Sequence, residues 1–450
     1  MSTTSLETPP LAQAFEGVPR AGPRDIVTGL QAHFRPGAHR GPLCRLGERC
    51  LIELPGAPKL FITSSPVDAR AILTNRDGGL SLGRALKRLT PHPVLFGDDS
   101  LIFLEGEEHV RERRRMAPAF HGQMMRSFQS TIAEIAAQRV EAWPTGRAVQ
   151  FVELAQEFVL DVMRSVIFGV ADPGRMARLD SAMRRYCRVA DSDGFLVKGI
   201  LGVVLAGRWS GYAPLDRAAQ AVDAIVLEEI AERRGRRAAD RDDCLTMLLR
   251  GEDGGPCDDA TLARNMRGMM LAGYETTAVT LGWVAEMLAH HPQVLTQLGR
   301  SVDAGEHAYL DAVIAEVMRM RPAFPFTGRR AVCDVDLDGI QIPRGTLVVI
   351  SIMAIHERGD IYANPDSFRP ERFLEVRPGT YTWLSFGGGP HRCIGASLAS
   401  LETRVLIQAL LQRRRLHAAD PRPEAPRRTH PMLIPARGGR VVIGRRSGST

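Results

Sequence analysis

Lysine is nearly absent from this 450-residue chain: Lys59, Lys87 and Lys198 stand against 55 arginines. The arginines run from end to end, so the net charge of +7 reads as compositional bias rather than a nucleic-acid patch. A mild positive excess suits an acidic protein partner instead. Paired cysteines are lacking as well. The seven cysteines, at 44, 50, 187, 244, 257, 333 and 393, form no CxxC pair, which fits a reducing cytoplasm better than a disulfide framework. No N-terminal apolar stretch resembles a signal peptide. The longest apolar segment, GFLVKGILGVVLAG, contains Lys198 and falls short of the ~20 residues of a bilayer span. Internal repeats and low-complexity linkers are also missing. The expectation is a cytoplasmic protein with no stable membrane span and no nucleic-acid partner.

What is present is a long apolar pattern, 44% of the residues, enough for a large core. Residues 1–40 read as an extended Pro- and Gly-rich lead-in. CLIEL and KLFITS, split by PGAP, predict a hairpin, and PVDARAILTN predicts a helix with Pro66 in its first turn. From about 105 to 320 the periodicity is helical, including TLARNMRGMMLAGYETTAVTLGWVAEMLAHH, a run beyond thirty residues. VDLDGIQIP predicts a second hairpin, TLVVISIMA a buried strand, and residues 396–412 a last helix. The fold class is therefore mainly α with a small β subdomain. One domain over 41–450 is expected, β-rich near 41–75 and 322–360 and helical near 105–320 and 394–412.

One decapeptide, FGGGPHRCIG at 386–395, poses the chemical question. It lacks the Lys-Ser/Thr of a phosphate loop and the third glycine of a dinucleotide fingerprint. His391 and Cys393 supply at most two ligands of a four-ligand zinc site. A thiolate holding a metal remains: Cys393 sits just before a helix, whose free N–H groups and dipole favour a sulfur anion. Gly387, Gly388 and Gly389 let backbone lie against something planar, Phe386 offers cover, and His391 and Arg392 offer cations for anionic groups. Together these describe a haem iron ligand.

Phe386, Gly389, His391, Cys393 and Gly395, in the pattern F-x-x-G-x-H-x-C-x-G, resemble the haem-binding signature of the cytochrome P-450 superfamily. Three further motifs agree in order. AEVMR and PERF supply Glu316, Arg319 and Arg372, which resemble the family's buried Glu–Arg–Arg network. LAGYETTA, on the long helix, places Glu275 and Thr276 as the family's acid–alcohol pair, with Ala272, Gly273 and Thr280 as small neighbours facing a cofactor or guest. O₂ cleavage consumes protons, so a hydroxyl beside a carboxylate suits a relay. EGEEHVRERRR places His109 and Arg113 one helical turn apart, as residues that reach a haem propionate; Arg329, with Arg330 beside it, matches another propionate position. The chain departs from the family at Glu357-Arg358-Gly359, where Arg-Asp-Pro is usual after His356.

The resemblance implies the cytochrome P-450 fold, with heme b between the long central helix and the helix after the cysteine loop. It implies a soluble bacterial-type monooxygenase of secondary metabolism that uses O₂, and a ferredoxin and NAD(P)H-fed ferredoxin reductase as electron source. Arg111, Arg114 and Arg115 would present charge to that acidic partner. Phe324 and Phe326 would line the pocket, and 194–209 would form a lid, pointing to a terpenoid, polyketide or fatty acyl substrate. A haem-thiolate isomerase, dehydratase or peroxygenase, and a non-catalytic haem sensor or ligand carrier, are the alternatives.

Overall fold

The computed structural model describes residues 14–22, 24–25, 46–53, 57–89, 95–97, 99–170, 172–190, 212–235, 241–251, 257–429 and 432–446. The expected lid at 194–209 and most of the N-terminal lead-in lie outside them.

The chain enters through β1 (Arg49–Ile52) and β2 (Leu60–Thr63), the predicted antiparallel hairpin, then α1 (Pro66–Thr74) with Pro66 in its first turn. Next come β3 (Leu80–Ser81), α2 (Leu82–Leu89) and α3 (Gly106–Met116). A helical series follows: α4 (Gly122–Ala142), β4 (Ala148–Gln150), α5 (Phe151–Val162) widening into a π-helical turn at Met163–Phe168, α6 (Pro173–Ala190), α7 (Ala213–Gly235) and α8 (Cys244–Arg250). The long run becomes α9 (Asp259–His290), 32 residues opened by the Asp258 carboxylate accepting Thr261 N–H at 2.9 Å. Then come α10 (Pro292–Asp303) and α11 (Ala308–Met320), followed by β5 (Phe326–Ala331), the hairpin β6 (Val335–Leu337) and β7 (Ile340–Ile342), β8 (Leu347–Ser351) and α12 (Ile352–His356). The chain closes with α13 (Arg372–Glu375), α14 (Ala396–Arg413), β9 (Arg414–Ala418), β10 (Pro426–Thr429), β11 (Met432–Pro435) and β12 (Arg440–Arg445).

The largest sheet has the order β1-β2-β8-β5-β3, joining the N-terminal strands to the segment at 326–351 through the parallel β2–β8 pair. TLVVISIMA differs from its reading as one strand. It is strand only to Ser351, whose hydroxyl accepts Ala354 N–H at 3.3 Å and starts α12. The main core is helical: α9 lies across α5, α7, α14 and α11, and Trp283, Phe158 and Leu406 sit wholly inside it. Among the described residues no helix is long and apolar enough to cross a membrane.

Candidate active site

The cysteine loop is fastened to α11 before any ligand is considered. Trp383 Nε1–H donates to Ala315 O (3.2 Å) and Ser385 Oγ to Met318 O (3.0 Å), while Cys393 N–H donates to Phe386 O (2.9 Å) and closes the turn. Behind it lies the predicted network. The fully buried Glu316 carboxylate accepts Arg319 Nε (2.7 Å) and Nη2 (2.9 Å), Arg372 Nε (3.0 Å) and the Arg369 amide (3.0 Å). Arg319 continues to the carbonyls of His356 and Pro365, both at 2.8 Å. Buried charges persist when paired and hydrogen-bonded in this way.

His356 links this network to the loop. Its Nε2 accepts Leu384 N–H at 2.8 Å, so the proton is on Nδ1 and is donated to Arg319 O at 3.0 Å. Sequence reading noted His356 only as the residue before a family departure. Its structural part depends on the distant Leu384 amide, which no local pattern announces.

Two of the three glycines serve a purpose other than facing a flat partner. Gly389, at φ +65°, would place a Cβ 2.0 Å from Leu73 O, and a Cβ on Gly388 would lie 3.1 Å from Leu73 Cδ1. They let the loop pack on the end of α1. Gly387, at φ +68°, has nothing within 4 Å of where a Cβ would stand. Phe386 stands edge-on to Trp383, with ring centroids 5.8 Å apart, and Arg392 lies over its ring.

Cys393 is solvent-accessible, yet protein atoms surround it closely enough for desolvation to raise its thiol pKa. The Gly395 amide, Arg392 and Arg113 act in the opposite direction. The protein by itself thus favours the thiol, and a bound metal cation is what converts such a group to thiolate. Gly395 holds the N-cap position of α14.

Beside the loop, three elements bring together cationic and imidazole groups. His391 Nε2 meets Glu105 Oε2 at 3.3 Å, and its ring lies 4.0 Å from that of His109. His109 is buried, its Nε2 has no hydrogen-bond partner, and burial holds its pKa down at about 4. Arg329 is 3% exposed and donates only to neighbouring Gly328 O and Thr327 Oγ1, with no carboxylate in ion-pair range among the described residues. Desolvation pushes its pKa down to about 10. Arg330, the alternative, points elsewhere, with Nη2 3.9 Å from where a Gly345 Cβ would stand. His109, Arg329 and His391 line one cavity of ≈ 1100 Å³. Arg113 is not among its lining residues; its electrostatic neighbours are Cys393 and Arg392.

On α9 the small-residue face is narrower than spacing implied. Ala272 is exposed in the middle of a mostly buried helix, with Glu275 and Thr276 half-buried on the following turn and Thr280 buried. Gly273 turns away: its missing Cβ makes room for Met163 Cε, which would lie 2.8 Å from it. The Thr276 hydroxyl donates to Ala272 O at 2.7 Å and Thr280 to Thr276 O at 2.8 Å, the local back-bonds that Thr commonly makes in helices. Phe324 is 39% exposed just before β5, and Phe326 is half-buried within it.

These residues fit a haem. A buried guanidinium with no ion-paired carboxylate among the described residues and an orphaned imidazole nitrogen match an anionic propionate edge. An accessible thiol bonded by a helix-start amide matches an iron ligand.

The cytochrome P450 family model matches residues 51–441. "Putative cytochrome P450 137" of Mycobacterium tuberculosis is 36% identical over 404 residues, covering 89% of this chain and 81% of the relative. "Putative cytochrome P450 135B1" of Mycobacterium bovis is 32% identical over 410 residues, covering 89% and 85%. The solved structure "Retinoic acid bound cyanobacterial CYP120A1" superposes with a TM-score of 0.75 at 21% identity, covering 90% of this chain and 93% of that one. With matches running through α3, α9 and the cysteine loop alike, the chain belongs to the cytochrome P450 family, the haem-dependent monooxygenases.

Proposed function

We propose that Cys393 would hold the haem iron through its sulfur and that Thr276 and Glu275 would handle protons at the site. His109, Arg329 and His391 receive the propionates. The observation that carries this reading is Cys393 itself, accessible, bonded by the Gly395 amide and anchored through Leu384 and His356 to the Glu316 network. Haem, when bound, supplies the binding and reductive cleavage of O₂. The chain's own residues place, shield and protonate.

Thr276 acts first as an acceptor. Its own proton is held on Ala272 O, leaving oxygen lone pairs to hold a water beside the open face of α9. Passing on its own proton requires release of that back-bond, a cost of about 1 kcal/mol. Glu275, on the same turn, is the group from which protons are replenished.

The substrate in this reading is a lipophilic small molecule. The open Ala272 and the exposed Phe324 ring offer it apolar contact, without a preference among terpenoid, polyketide and acyl chains. Electrons come from a separate ferredoxin and reductase. The exposed Val110 on α3 lies beside Arg111 and Arg114, and Arg76 and Arg84 line the same cavity. An apolar contact ringed by arginines suits an acidic protein surface. Arg115, expected on this face, is instead paired with Glu112 at 2.5 Å.

Thr276→Ala tests the relay. With a [2Fe–2S] ferredoxin, its reductase and NADPH, and a lipophilic compound chosen by its spin-state shift, haem content is expected to stay normal. Product formed per NADPH is expected to fall about tenfold or more, with hydrogen peroxide rising in its place. Unchanged coupling would remove Thr276 from the mechanism.

A further inference from the structure

Glu105 holds the N-cap position of α3, with extended backbone at φ −134° and ψ 162°, yet its side chain makes no bond to that helix. Such positions favour short oxygen side chains that bond back to their own first turn. Glu105 commits its carboxylate elsewhere. Oε1 accepts Ser81 Oγ at 2.9 Å and Gly83 N–H at 3.1 Å, at the start of α2. Oε2 meets His391 Nε2 at 3.3 Å. A carboxylate only accepts, so this bond fixes a proton on Nε2.

The same residue therefore joins three segments: the β3–α2 junction, the start of α3 that carries His109, and the cysteine loop two residues before Cys393. Its charge also supports the buried Arg329 guanidinium. These contacts hold the carboxylate ionised, at a pKa of about 2, against the desolvation that opposes it.

We infer that Glu105 is a positioning residue for the cofactor edge, orienting His391 and opposing reduction of the iron through its fixed negative charge. The inference rests on the reading of Cys393 as haem ligand. It goes beyond that reading because a side-chain contact from outside the signature sets how the signature histidine is presented. A carboxylate fixed near a redox centre disfavours the more negative, reduced state.

The test uses holoprotein. The reduced, CO-bound spectrum of the unaltered protein checks the Cys393 reading first and independently. Glu105→Gln is then titrated spectroelectrochemically, and its haem loss to apomyoglobin is timed. The expected result is an unchanged CO spectrum, a reduction equilibrium constant raised ~3-fold or more, and faster haem loss. Glu105→Asp keeps the charge but shortens the reach, so its reduction equilibrium should stay near that of the parent while haem loss still accelerates. Should the Gln variant not fold, the Asp variant alone decides: parental haem retention overturns the inference. A Gln variant that merely unfolds earlier, with the reduction equilibrium unmoved, also overturns it, because a purely structural cap has that signature.

Discussion

His356 carries out its task only while neutral. Both ring nitrogens are bonded, one donating to Arg319 O and the other accepting the Leu384 amide, inside a fully buried pocket. Burial is the largest cause of its pKa falling to about 3. The unfolded histidine binds a proton near its ordinary value of about 6.5, so below that pH the unfolded state gains protons that the native state refuses. The stability contributed by His356 is thus complete above about pH 6.5 and lost as pH falls toward 3. Between pH 6.5 and 4.5 the slope from this one residue is at most ~1.4 kcal/mol per unit. Denaturant unfolding of the parent and of His356→Asn across that window is expected to reveal this slope in the parent and its loss in the variant. Equal slopes would place the ring's protonation outside the stability of the loop. At this scale the sequence was most legible where chemistry is unusual. Cys393, Glu316 and Arg372 announce themselves by type and order, whereas Glu105 and His356 act through backbone groups far along the chain.

Among the elements, the meeting of the cysteine loop with α1 depends on shape more than on chemistry. A methyl on Gly389 would stand 2.0 Å from Leu73 O and 2.7 Å from Leu73 C, backbone atoms that no rotamer change can move. Gly387 shares the left-handed conformation but has open space around it. Gly389→Ala is therefore expected to abolish haem incorporation, or to destabilise the protein by ~3 kcal/mol or more, whereas Gly387→Ala bears only the backbone strain of ~1–2 kcal/mol. Thermal unfolding and haem content of the two purified variants provide the check, and similar losses in both would refute the steric account. The elements that sequence reading recovered are those with strong local signals. Asp258 opens α9, Pro66 opens α1, and an Asp-Gly turn joins β6 to β7. Those it passed over have their pairing or burial written elsewhere. β9, RRLHA, is a strand because Leu416 faces Ile443 of β12 across the sheet. α6, rich in arginine, is held on α7 partly by Arg178 with Glu228 and Arg175 with Glu232.

At the scale of the whole molecule, the arginine bias separates into two populations. Many are spent in ion pairs, several of them across elements, such as Arg404 with Asp311, Arg264 with Asp99 and the buried Arg233 with Asp243. A few, Arg76, Arg84, Arg111, Arg114 and Arg329, converge on the cavity beside α3, where composition alone gave no hint of clustering. The architecture was legible because helix periodicity and the order of four motifs constrain one another over most of the chain. The placement of Gly273 against Met163 was not, since it depends on a π-helical turn with no sequence mark of its own. All of these layers converge on one sulfur. The most direct measurement is the optical spectrum of the dithionite-reduced, CO-saturated holoprotein, recorded for the parent and for Cys393→Ser. The parent is expected to give the red-shifted thiolate–haem–CO band, and the variant to lose it through loss of haem or of the thiolate band. The same thiolate band in the variant would contradict Cys393 as the iron ligand.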